Sequence, residues 1–76
     1  MSAHRHVYYI RYRLYRADAE RGIAVIASNK CEAYRVAVYE AIPKESGEHP
    51  YSAWVKSVTY NNGRSKQFNT FEGKPY

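Results

Sequence analysis

Seventy-six residues with 45% hydrophobic and 16% aromatic content describe a folded domain, because disordered segments are poor in rings and branched aliphatics. A chain of this length buries only about 60 to 65% of the surface it exposes when unfolded, which leaves no room for a large pocket beside a core and makes self-association a useful source of extra burial. The formal charge is +5, twelve Lys and Arg against seven Asp and Glu; a basic balance of this size raises nucleic acid or an acidic protein as partners, although it also serves solubility.

The first element is HVYYIRYRLYR, residues 6 to 16. As a β-strand it sends Tyr8, Ile10, Tyr12 and Leu14 to one face and Tyr9, Arg11, Arg13 and Tyr15 to the other. The first set reads as core. Polar ADAERG (17 to 22) then forms a hairpin loop ending at Gly22, and IAVIA (23 to 27) is short, branched and apolar enough for a buried strand. In SNKCEAYRVAVYEAIP the period changes. Asn29 with Glu32 three residues on forms a capping box, with Ser28 a competing cap, and Cys31, Tyr34, Val38, Ala41 and Ile42 recur at helical spacing until Pro43 ends the helix. KESGEHP is a polar loop. YSAWVKSVTY (51 to 60) and RSKQFNTF (64 to 71) are strands joined through NNG, where Asn62 and Gly63 suit a type I′ turn. That turn sets Trp54 opposite Phe71, Ser57 opposite Phe68 and Val58 opposite Gln67. A one-residue shift would change every pair, and neither face of the hairpin is cleanly apolar. Residues 1 to 5 and the tail 72 to 76 are expected to be mobile.

Strand, strand, helix, strand, strand describes a single α+β domain over residues 1 to 76: one helix across a four-stranded antiparallel sheet. A right-handed crossover from the second strand to the third places the first between them, giving spatial order 2-1-3-4. Residues 7 to 15 are then central, with Tyr9, Arg11, Arg13 and Tyr15 in the middle of an open face. Rings and cations so placed can stack bases and meet phosphates, with Arg64, Lys66 and Lys56 as added cations. The same face also reads as a plain solvated surface, in which Arg stems cover neighbouring rings, or as a protein or dimer interface rich in Tyr, Trp and Arg.

Other candidates carry less. His4 and His6 lack a third nearby ligand for zinc; if Met1 is removed, Ser2-Ala3-His4 would suit a square-planar Cu(II) or Ni(II). Cys31 lies in the first helical turn but on the apolar stripe, which favours inert packing. His49 reads as a solvated loop residue, and Glu45 and Glu48 fall in a polar loop, not in the dry pocket that raises a carboxylate pKa. A lone strand Trp such as Trp54 is usually core. No phosphate loop, nucleophile elbow or metal-spaced cluster is present, so no enzyme, cofactor or metal site is expected. A single cysteine excludes an internal disulfide and fits a reducing compartment. The longest uncharged aliphatic run, residues 23 to 27, is far short of the ~20 residues of a membrane span, and no signal-peptide pattern follows the N-terminal basic residues, so a cytoplasmic location and no membrane contact are expected.

The helix beginning in SNKCEAY and followed by an Asn-Gly hairpin is similar in layout to many compact proteins of bacteria, phages and plasmids, some anti-CRISPR proteins among them. That resemblance implies a small protein acting by adhesion to a macromolecule. The expected function is a basic, non-catalytic module contacting nucleic acid through the open sheet face; the alternative is a protein-interaction or homodimeric adaptor, for example a phage-type inhibitor, with no nucleic-acid binding.

Overall fold

The computed structural model describes residues 5–68. The expectations for His4, the Ser2-Ala3-His4 amine site, Phe71 and the tail 72 to 76 lie outside the described residues. Four strands, β1 (His6–Arg13), β2 (Arg21–Ala27), β3 (Ser52–Thr59) and β4 (Ser65–Gln67), form one antiparallel sheet in the order β2-β1-β3-β4. A helical segment between β2 and β3 covers one face. This is the 2-1-3-4 α+β arrangement expected from chirality and strand count.

The strand period decides what that helix covers. Tyr8, Ile10 and Tyr12 of β1 are buried, together with Val25 and Ala27 of β2 and Ala53, Val55 and Val58 of β3. The parity in β3 changes between Val55 and Val58 because the register slips: Tyr9 lies opposite Ser57, yet Ile10 lies opposite Val55. Lys56 is therefore the extra residue of a β-bulge. Without the bulge, Val58 would point to the uncovered side. This phase change is why neither face of the 51 to 71 hairpin reads as cleanly apolar.

The β3–β4 register is the shifted one, with Ser57 opposite Gln67, Val58 opposite Lys66 and Thr59 opposite Ser65. The type I′ turn at Asn62-Gly63 is corrected accordingly. A type I′ turn needs positive φ at both central residues, and the only described residues with positive φ are Gly47 and Gly63. A three-residue loop, Asn61 to Gly63, satisfies this with one left-handed residue, Gly63 at φ 89°. The Gly63 and Tyr60 amides close it on the Tyr60 and Arg64 carbonyls at 2.9 and 2.7 Å.

The β1–β2 connection also differs from its reading. β1 stops at Arg13, short of residue 15, and β2 starts two residues before Ile23, at Arg21. Asp18 causes the early stop. Its carboxylate accepts the Leu14 amide at 2.8 Å and the Arg21 guanidinium at 2.7 and 3.2 Å, while its own amide bonds the Tyr15 carbonyl. Those bonds turn the chain at Leu14, so Tyr15 leaves the sheet.

The helix runs through three registers: α1 (Lys30–Val36), a π-helical turn (Ala37–Ala41) and α2 (Ile42–Ser46). Asn29 caps it, its side chain accepting the Glu32 amide at 2.8 Å, and Glu32 reaches back to the Ser28 amide and hydroxyl at 2.7 and 2.6 Å. Pro43 does not end the helix. Proline has no N–H and crowds the preceding turn, and here the turn widens ahead of it: the Ile42 amide bonds the Ala37 carbonyl five residues back. The helix ends instead at Gly47, left-handed at φ 83°, whose amide bonds the Pro43 carbonyl.

The wide turn has two consequences. In the five-residue register the donor for the Val38 carbonyl would be Pro43, which has none; the His49 Nδ1 lies 3.3 Å from that carbonyl and its ring meets Tyr39 edge to face at 6.1 Å. His49 is thus a structural partner of the helix, correcting its reading as a purely solvated residue. The extra residue also carries the buried stripe from Ala33 and Ala37 on to Val38 and Ile42. Cys31, ahead of the turn and two residues from Ala33, lies off the stripe and is exposed, against the expectation of inert packing.

These bonds can be tested by pH and by mutation. The Arg21 hydrogen bond, then the Leu14 amide, hold the Asp18 carboxyl below its usual value. A depressed carboxylate adds stability that is present above its unfolded pKa of ~3.9 and disappears as pH falls through the native value. Melting temperature measured against pH will therefore fall less steeply on acidification in Asp18→Asn than in the wild type. Separately, His49→Ala will cost about 1 kcal/mol in denaturant unfolding. In a Pro43→Ala background the loss will shrink, because residue 43 can then supply the missing donor.

Candidate functional site

With the helix on one side, the odd-numbered side chains of β1 look out from the middle of the sheet's other side. Tyr9, Arg11 and Arg13 each have at least one small cross-strand neighbour. Tyr9 lies between Ala24 of β2 and Ser57 of β3, which leaves its ring 45% exposed although it is on a central strand. Arg11 lies between Gly22 and Trp54, and Arg13 beside Ser52. Trp54 is half-buried and belongs to this face and not to the core, a placement that the undecided hairpin register conceals in the sequence; the Arg13 Cζ stands 6.0 Å from its ring centroid.

Gly22 shapes the site through what it lacks. A Cβ at this position would come within 3.0 Å of Arg11 Nη1. Its absence lets the guanidinium cross over β2 and reach Glu20, whose Oε1 lies 3.2 Å from Nη2. The Arg11 hydrogen bond holds the Glu20 carboxyl below its ordinary range, and the charges of Arg13 and Lys56 lower it further. One carboxylate thus lies within the field of three cations. Beside Tyr9, the backbone and side chains of Ile10, Arg11, Gly22, Ile23 and Ala24 complete a shallow groove of about 280 Å³.

The seven residues singled out in the sequence divide. Tyr9, Arg11 and Arg13 share the open face, and the bulge exposes Lys56, whose charge reaches the same carboxylate. Tyr15 is exposed in the β1–β2 connection, beyond the end of β1. Arg64 and Lys66 lie opposite Tyr60 and Val58, so strand alternation turns them to the helix side. There the Nζ of Lys66 and that of Lys30 stand 5.7 and 4.7 Å from the Phe68 ring. Sequence reasoning misses Glu20 because it sits in a polar stretch with no period. The signal for it is the β1–β2 register, which carried one step past Arg21 places it opposite Arg13.

Among the described residues no group of three His, Cys, Asp or Glu side chains could hold a metal ion. No helix among them is long and apolar enough to cross a membrane. Comparison with protein-family models, with characterised proteins and with solved structures finds no match. The class is therefore defined by fold and surface alone: a small α+β protein with a four-stranded antiparallel sheet, one face under a helix and the other carrying an aromatic and cationic strip.

The net charge of that strip can be read from the single tryptophan. At low ionic strength iodide will quench Trp54 more efficiently than caesium, and Arg13→Ala will bring the two quenchers closer together. Caesium quenching equal to that of iodide in the wild type would contradict the clustering of Arg11, Arg13 and Lys56 about this ring.

Proposed function

We propose that the protein binds single-stranded nucleic acid on the open face of its sheet, without catalysis, in the cytoplasm. Bases stack on Tyr9 and Trp54, and Arg11, Arg13 and Lys56 meet the phosphates. The observation that supports this reading is the interleaving: Arg11 is cross-strand neighbour to Trp54 and two residues along β1 from Tyr9 on the same face. A flat ligand that stacks on rings and carries regularly spaced negative charge matches such a strip, as single strands do in sheet-based binding modules.

The alternative, an adaptor that binds a protein through the same rings, differs from this reading in its salt dependence. Binding of a short labelled DNA or RNA single strand will weaken with a log–log salt slope of about −2, from three cations at ~0.7 each. Arg11→Ala with Arg13→Ala will flatten the slope, whereas Arg64→Ala with Lys66→Ala, on the far side, will leave it nearly unchanged. Tyr9→Ala will cost about 1 to 3 kcal/mol of affinity. Binding that depends on Arg64 and Lys66 but not on Arg11 and Arg13 would refute the site; no binding at about 50 mM salt would refute the function.

A further inference from the structure

The two edges of the sheet are built differently. β4 has three residues, all polar, with Lys66 at its centre and Arg64 next to its start. A short, charged edge is a poor template for another strand. β2 has seven residues, and from Gly22 to Ala27 it contains no charge, no proline and no bulge. Ile26 on this edge is 62% exposed, the most exposed large hydrophobic side chain among the described residues. A long, regular apolar edge with free backbone donors and acceptors pairs readily with a further strand.

We infer that the β2 edge pairs antiparallel with the β2 edge of a second copy of this chain. Charge selects this occupant. In a chain of net charge +5, residues 22 to 27 carry no charge of their own and the Arg11 guanidinium that lies over Gly22 is paired with Glu20, so two copies can approach along this stretch with that cation neutralised. The strand is also complementary to itself. A two-fold axis through Ala24 sets Gly22 of each copy beside Ile26 of the other, and Ile23 beside Val25. On the helix side, Arg21, already paired with Asp18 of its own copy, falls opposite Ala27.

The pairing has a geometric consequence. The two-fold of an antiparallel strand pair is perpendicular to the sheet, so both helices fall on one side and both open faces on the other. Two four-stranded sheets become one of eight strands, and the strips led by Tyr9 and Arg11 run side by side across Gly22, Ala24 and Ile26 of both copies. Strand pairing alone covers less than the ~1,200 Å² of a standard stable interface, so the dimer is a concentration-dependent one.

Sedimentation equilibrium of the full chain in the absence of nucleic acid tests this independently of the proposed function. The wild type will move from monomer to dimer as concentration rises towards about 1 mM, in the weak range expected of a small interface. Ala24→Lys and Ile26→Lys, both at exposed positions, will each remain monomeric and retain the wild-type circular dichroism spectrum and melting transition. Amide exchange in the wild type will slow along residues 22 to 27 as the dimer fills. A wild type that stays monomeric throughout would overturn the inference, as would a dimer that survives both lysine variants with no concentration-dependent protection in β2. Either result would leave oligonucleotide binding by the open face to stand or fall on its own titration.

Discussion

The fold depends on one covered surface. Tyr8, Ile10 and Tyr12 of β1 are buried beneath Ala33, Ala37, Val38 and Ile42 of the helix, with Val25, Val55 and Val58 on either side. Burial pushes the Tyr8 and Tyr12 phenols above their ordinary pKa. With every second side chain of a central strand committed to that core, pleating leaves the intervening ones no other place than the opposite face. Among the described residues there is one helix to lay on the sheet. The exposure of Tyr9, Arg11 and Arg13 is thus a direct consequence of the burial of their neighbours.

What is legible in the sequence, and what is not, follows from periodicity. The alternation in residues 6 to 13, the apolar run 23 to 27, the Asn29 cap and the handedness of the crossover are enough to give the strand order. Three of the features that escape share one cause: an extra residue inserted into a repeat. Lys56 at the bulge changes the parity of β3. The wide turn at Ala37–Ala41 absorbs Pro43 and changes the phase of the stripe, so that a constant period read back from Val38 and Ile42 sets Cys31 on the wrong face. The third residue of the 61 to 63 loop shifts the β4 register by one. In each case a single additional residue changes the phase of everything beyond it, and a constant period carries the old phase forward.

The candidate site shows the same division. Tyr9, Arg11 and Arg13 lie inside an unbroken period, and alternation alone puts them on the open face. Tyr15 departs from it because Asp18 draws the chain out of the sheet, an effect of one side chain on backbone and side-chain donors that has no period. Arg64 and Lys66 depart because the hairpin register decides their face. Trp54 and Glu20 join the site only once pairing is known, the first through β1–β3 and the second through the continuation of β1–β2. Gly22 contributes by an absent atom, and only the position of the Arg11 guanidinium reveals that contribution.

The central claim is that the two faces of one strand have separate duties, and the most direct measurement is a residue-resolved NMR titration of the ¹⁵N-labelled protein with a short single-stranded oligonucleotide at low salt. Separate duties predict shifts in the arginine side-chain signals of Arg11 and Arg13, in the Trp54 indole and in the Tyr9 ring, with Lys30, Lys66 and Phe68 on the helix side unmoved. Shifts centred on Lys30, Lys66 and Phe68, or a spectrum unchanged by saturating oligonucleotide, would contradict the claim.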